Sequence, residues 1–232
     1  MSKKNIVTEV DNLVPVRNVL VSVSDKSDLE DFIPGLVEVC PGVKIYSTGG
    51  TYDMIKDNIL KDQAKGMLFQ VSDYTGQPET QGGLVKTLDF KIYLSILTEK
   101  YNADHQGDLQ RTQAVPIDMV VCNLYPFSET VAKGATLEEA RANIDIGGPT
   151  MIRAAAKNFL RVASVVNPGS YGFLIGHLAS EKGCTELQAR FDLAKKAFAH
   201  TAEYDRAISE HLKTIPLADV MKAYPIVHER GE

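Results

Sequence analysis

The sequence has no tryptophan and only three cysteines, Cys40, Cys122 and Cys184, among 232 residues. They are odd in number and far apart, with no CxxC pair and no Cys/His cluster. Neither a disulfide framework nor a zinc site follows from them. No stretch approaches the roughly 20 consecutive apolar residues of a membrane helix. The N-terminal MSKKNIVTEVDNLVPV lacks the apolar segment of a secretory signal. A basic excess is missing too: 25 Lys and Arg stand against 30 Asp and Glu, a formal charge of −5, without the footprint of a nucleic-acid binder. An acidic chain can still hold a small anion where backbone N–H groups and a lysine converge. The expected setting is reducing and cytoplasmic.

A 44% hydrophobic share is that of a globular protein with a real core. Residues 1–17 read as a polar leader, 18–213 as one domain and 214–232 as a tail. Short apolar, β-branched runs at 18–23, 43–46, 67–71, 117–122 and 162–166 read as buried strands. Helical patterns alternate with them: Leu29, Phe32, Ile33 and Leu36, with Pro34 as a kink, and then the segments after Thr136, Pro149, Ser170 and Thr185. Thr136 and Glu139 have capping-box spacing. The alternation predicts an α/β fold with a mostly parallel sheet flanked by helices. In such a sheet ligands bind beyond the carboxyl ends of the strands, and the polar motifs of this sequence fall there.

Each motif has a functional and a structural reading. Ser47-Thr48-Gly49-Gly50-Thr51 either curls its N–H groups around an anion or makes a tight strand-to-helix turn. Ser22-Val23-Ser24-Asp25-Lys26 offers hydroxyls and an ammonium at a strand end, or a helix cap. Lys86 reaches a ligand from a glycine-rich loop, or is a solvated charge. Tyr125 faces a site, or is a packed corner aromatic with its hydroxyl on backbone. The segment NIDIGGPTMIRAAAKN places Thr150, Arg153 and Lys157 on one polar helix stripe and Asp145 just before the helix.

STGGT, GLVKTL, CNLYPF, ANIDIGGPTMIRAAAKN and KKAFAHTAEYDRAI, in this order, resemble the inosine monophosphate (IMP) cyclohydrolase domain of the bifunctional purine-biosynthesis protein. The resemblance runs from about Val19 to Leu212. It implies a methylglyoxal-synthase-like fold and closure of 5-formamidoimidazole-4-carboxamide ribonucleotide to IMP and water, with no metal and no cofactor. The partner is then a small nucleotide, not nucleic acid or membrane, and a homodimer stays open. The nucleotide site implied by the resemblance falls on Ser24, Asp25 and Lys26, on Thr48, Gly49, Gly50 and Thr51, on Leu84, Val85 and Thr87, and on Cys122, Asn123 and Ile146. The implied catalytic set is Lys86, Tyr125, Asp145 and Lys157, with Lys157 as proton donor and acceptor.

The chemistry suits these residue types. A carboxamide nitrogen needs a base as it attacks the formyl carbon, and the oxyanion needs preorganised donors. Lys86 and the Asp145 backbone are expected at the oxyanion, and Tyr125 and the Asp145 side chain at the carboxamide. A lysine transfers protons near neutral pH when like charges depress its pKa, a task expected of Arg153 and Lys86 toward Lys157.

The sequence departs from the family pattern GRVKTLHP followed by KVHGGIL. Leu84 stands for the arginine, Asp89 for the histidine, and Leu94 and Ser95 for the paired glycines. Lys26 or Lys91 is expected to replace the lost cation. The family's folate-dependent formylating domain is not in this sequence. Two other readings compete: a non-catalytic purine-nucleotide module of the same fold, and a methylglyoxal synthase, which would lack NLYPF and RAAAKN.

Overall fold

NVLVS forms the central strand because its apolar side chains are buried on both faces, as a parallel strand covered by helices requires. The computed structural model describes residues 6–77 and 86–224. In chain order they form β1 (Leu13–Pro15), β2 (Asn18–Ser22), α1 (Leu29–Val39), β3 (Lys44–Ser47) and α2 (Gly49–Asp53), which continues as a π-helix (Met54–Leu60). Next come β4 (Leu68–Gln70), α3 (Val71–Thr75), α4 (Phe90–Leu97), α5 (Ala103–Thr112) and β5 (Met119–Cys122). The chain continues with α6 (Phe127–Ala132), α7 (Leu137–Ala142), α8 (Gly147–Lys157), β6 (Ala163–Val165) and α9 (Tyr171–Ser180). It ends with β7 (Cys184–Glu186), α10 (Leu187–Lys213) and α11 (Leu217–Ala223).

The main sheet is parallel, in the order β4-β3-β2-β5-β6. Side chains alternate across it, as the two-residue period of a strand dictates. Val19, Val21, Ile45 and Met119 face α1 and α9 through Phe32, Ile33, Leu36 and Leu174. Leu20, Val120 and Cys122 face the other layer with Ile92 and Ile96 of α4, Ile152 and Ala155 of α8, and Ala194 of α10. The chain winds outward from β2 through β3 to β4, then restarts on β2's other side with β5. The topological switch point therefore lies between the ends of β2 and β5, where α/β sheets bind ligands.

Three local features differ from the sequence reading. The predicted leader contributes a strand: β1 pairs antiparallel with β7, Leu13 opposite Glu186. Pro34 leaves α1 continuous; it lacks the N–H that would serve the Glu30 carbonyl, and both residues lie on the exposed face of the helix. The predicted tail includes α11. Among the described residues no helix is long and apolar enough to cross a membrane.

Two buried arginines fasten the layers. Arg161 reaches the carbonyls of Ser95, Thr98 and Ile117 and the Asp118 carboxylate at 3.3 Å. Arg190, fully buried, donates to the carbonyls of Asp11, Asn12, Phe159, Leu160 and Thr185. It thereby ties the N-terminal segment and the end of α8 to α10.

Candidate active site

Asn123 follows β5 and crosses the switch point. Its Oδ1 accepts the N–H groups of Ser24 at 2.7 Å and Asp25 at 2.9 Å, and its Nδ2 donates to the Asp25 carbonyl at 2.8 Å. This brace fixes the loop after β2 against the loop after β5. Above them opens a cavity of about 550 Å³.

One wall groups hydroxyls, glycines and an ammonium. Ser22, Ser24 and Lys26 come from the β2 end, and Thr48, Gly49 and Gly50 from the β3 end. The Thr48 carbonyl takes the N–H groups of Thr51 and Tyr52. The first turn of α2, whose earliest N–H groups the helix leaves unused, thus lies on this wall. Gly49 has φ +47°, and a β-carbon there would stand 3.0 Å from Lys86 Nζ. Glycine thus permits both the turn and the approach of the ammonium. The Ser22 and Thr48 hydroxyls lie 3.3 Å apart. Thr51 borders the cavity, but its hydroxyl donates to the Val23 carbonyl at 2.9 Å and accepts the Val23 N–H at 3.2 Å. It pins β2 to α2.

The opposite wall carries a phenol and a carboxylate. Tyr125, 48% exposed, and Asp145 both line it. Asp145 accepts the Gly148 N–H at 2.8 Å. Burial raises its carboxyl pKa, against the backbone N–H groups of Gly148 and Tyr125, which lower it. Burial also raises the Tyr125 phenol, and the charge of Asp145 adds to that. The Cys122 thiol is enclosed, with its pKa well above the usual range; it is a wall, not a nucleophile. Thr87, Asn143, Ile146 and Met151 complete this side.

The structure thus gathers Ser24, Lys26, Thr48, Gly49, Gly50, Thr51, Lys86, Thr87, Cys122, Asn123, Tyr125, Asp145 and Ile146 around one cavity. Leu84 and Val85 lie outside the described residues. Asp25 turns away: its carboxylate accepts the Ser27 N–H at 2.9 Å and hydroxyl at 2.6 Å, which lower its pKa.

Lys157 does not join the group either. It is exposed at the far end of α8, roughly 15 Å along the axis from Gly147 at 1.5 Å per residue. Lys86 stays at the cavity end of that helix, so it does not neighbour Lys157 as the sequence reading expected. Arg153, on the same exposed stripe, lies over the Phe198 ring at 5.6 Å.

The Asp145 N–H, expected at the oxyanion, is already engaged. It donates to the Tyr204 hydroxyl at 2.8 Å and is not free for a substrate. Lys91, one of two expected replacement cations, donates to the Tyr74 carbonyl at 2.8 Å and lies over the Tyr74 ring. Lys26 remains on the cavity wall. The altered stretch is mainly structural: Asp89 caps α4 by accepting the Lys91 N–H at 2.8 Å. The Ser95 hydroxyl donates to the Lys91 carbonyl and lies 2.8 Å from the Tyr74 hydroxyl.

Residues 28–150, more than half of the chain, match the MGS-like domain family. The chain belongs to that family. Residues 155–230 match the AICARFT/IMPCHase bienzyme family. A crystal structure of a protein called ForH is similar to this MGS-like chain at 28% identity and a TM-score of 0.69, covering 84% of this chain and 95% of that one. The two family matches together support an IMP cyclohydrolase-type domain. Ser22 lay in the strand-end motif read from the sequence; Asn143, Gly147 and Gly148 were not read as wall residues, although Gly-Gly at a helix start was a visible signal. Sequence reasoning also missed Tyr204, which no local pattern marks.

Proposed function

We propose that this chain closes the ring of 5-formamidoimidazole-4-carboxamide ribonucleotide to IMP and water. The observation that carries this reading is the pairing, across one cavity, of an anion wall with a wall bearing Asp145 and Tyr125. The nucleotide phosphate is held by Thr48 to Gly50, the start of α2 and Lys26. The carboxamide nitrogen attacks the formyl carbon; a C–N bond forms while the nitrogen loses one proton. The formyl oxygen takes up a proton and becomes a hydroxyl. That hydroxyl then leaves as water with the formamide N–H proton, and a C=N bond completes the ring.

The Asp145 carboxylate is oriented by Gly148 and has its pKa raised by burial, which brings its basicity closer to working pH. It receives or orients the carboxamide proton, and Tyr125 fixes the amide plane. The Lys86 ammonium serves the oxyanion. Holding both reacting groups of one molecule in attack geometry supplies much of the acceleration. Lys157, the proton donor and acceptor by resemblance, is too far from Asp145 to act within one chain. In this reading it enters the cavity from a second copy, so the working unit is a homodimer.

Incubation with the formylated substrate, followed by purine absorbance, tests the reading. Product should form without added folate, metal or nucleoside triphosphate. IMP binding without turnover would leave the non-catalytic nucleotide module.

A further inference from the structure

The loop that carries Asp145 is held from far along the chain. Tyr204, on α10, is 59 positions away. Its hydroxyl accepts the Asp145 N–H at 2.8 Å and donates to the Asn143 carbonyl at 3.2 Å. These main-chain groups lie between the end of α7 and the start of α8. One phenol satisfies both. Tyr204 is 9% exposed, and its ring meets the edge of Phe127 at 6.4 Å. Burial raises its pKa, so the hydroxyl keeps the proton that it donates.

We propose that Tyr204 is a positioning residue, through which α10 sets the Asp145 carboxylate in the cavity. The kinetic part of this inference rests on the cyclohydrolase reading; the geometric part does not. Asp145 is fastened twice, at its N–H by Tyr204 and at its carboxylate by Gly148. With both bonds in place the carboxylate is restricted in direction. Without the phenol, the Asp145 N–H and the Asn143 carbonyl lose their partner and turn to solvent, and the loop follows.

Tyr93, Cys122, Tyr125 and Tyr204 feel the Asp145 charge and are neutral near pH 7. The Lys86 and Lys26 ammoniums line the same cavity, and burial is the largest influence on the Asp145 carboxyl. The anchor also joins the two family segments: Asp145 lies in residues 28–150 and Tyr204 in residues 155–230. Helix α10 thus completes a loop of the α/β unit.

Tyr204→Phe keeps the ring and removes the hydroxyl. Its kcat should fall by about tenfold or more, because a small misplacement of a reacting group is costly, while KM changes by less than about threefold. The Asp145 carboxyl pKa, read by NMR on isotope-labelled protein without substrate, should fall toward the ordinary aspartate range. A kcat and a pKa both unchanged overturn the proposal. A lower kcat with an unchanged Asp145 pKa also overturns it, leaving Tyr204 a packing role. A lower pKa with unchanged kcat upholds the anchor and defeats the proton role of Asp145. If the unaltered protein closes no ring, the cyclohydrolase reading fails while the pKa comparison still decides the anchor. If Tyr204→Phe does not fold, hydrogen exchange at the Asp145 amide of the unaltered protein decides: protection supports the anchor, and exchange at the rate of an exposed loop overturns it.

Discussion

The Asp145 carboxylate accepts the Gly148 N–H at 2.8 Å, and a β-carbon on Gly148 would stand only 2.6 Å from Asp145 Oδ2 and 2.6 Å from Leu124 Cδ2. The neighbouring Gly147 is as tight, with its virtual β-carbon 2.7 Å from Thr87 Oγ1. The paired glycines of IDIGGP let the first turn of α8 press against the carboxylate and the Lys86-Thr87 strip together. Gly148→Ala should therefore push Asp145 out of line. The expected cost is on the order of 10²-fold in kcat and about 1–3 kcal/mol in stability from overpacking. Steady-state kinetics and urea unfolding of the purified variant measure both; wild-type turnover would show that the contact does not orient the carboxylate.

Asp145 ties activity to stability with a definite sign. Burial raises its pKa in the folded state above that of the unfolded chain. The folded protein therefore holds this proton to higher pH, and ionising Asp145 costs stability. The cost is absent below the unfolded value of about 3.9 and fully present once pH exceeds the folded pKa. Asp145→Asn keeps an oxygen to accept the Gly148 N–H and removes the buried charge. It should melt higher than the unaltered protein near pH 7, with the difference shrinking as pH falls through the aspartate range. Its turnover should drop by about 10²–10⁴. A melting difference that does not vary with pH would mean that Asp145 is solvated.

What was legible in the sequence was local. The run NVLVS, the period of Leu29 to Leu36 and the Thr136/Glu139 box each encode their own element. The box forms in both halves, with the Thr136 N–H on the Glu139 carboxylate at 2.7 Å and the Glu139 N–H on the Thr136 hydroxyl at 3.3 Å. Lys86, Tyr125 and Asp145 meet at one cavity because each follows or precedes an element that ends there. Distant partnerships were not legible. LVP and CTE, three residues each, pair as β1 and β7 only because the fold brings them together. Arg190 and Tyr204 sit on a helix whose other charged and aromatic residues are largely exposed, yet they bond to backbone 30 and 59 positions away. Lys157 shows the converse: the helical stripe was read correctly, but a stripe does not say which end of the helix meets the site.

The cation that stands in for the missing family arginine should be Lys26. It borders the cavity, its Nζ 3.4 Å from the Val23 and Ser24 carbonyls, whereas Lys91 is engaged by Tyr74. Lys26→Ala should weaken IMP binding by about tenfold or more, since a charge-assisted hydrogen bond is worth roughly 1.5–3 kcal/mol. Lys91→Ala should leave it within about threefold. With Lys26 present, Leu84→Arg should tighten binding by less than about tenfold, or 1.4 kcal/mol. Calorimetric titration of the three variants with IMP separates the cases. A hundredfold gain in Leu84→Arg would mean that nothing compensates.

Lys157 gives the sharpest test of the working unit. Within one chain it stands roughly 15 Å of helix from the cavity end of α8, so a proton role requires it to come from another copy. Lys157→Ala alone should lower kcat by about 10²–10⁴, the range of a positioned acid–base group. Asp145→Asn alone should do the same. If each cavity combines Asp145 of one chain with Lys157 of another, the two inactive variants should repair one another. Random pairing of equal amounts gives half mixed dimers, each with one intact cavity of two, so the mixture should regain about a quarter of full activity. Co-expression or dissociation and reassociation of the variants, followed by the ring-closure assay, measures it. No recovery, with both single variants impaired, would overturn the shared site and leave Lys157 a packing role in its own chain. Full activity of Lys157→Ala alone would remove it from the mechanism.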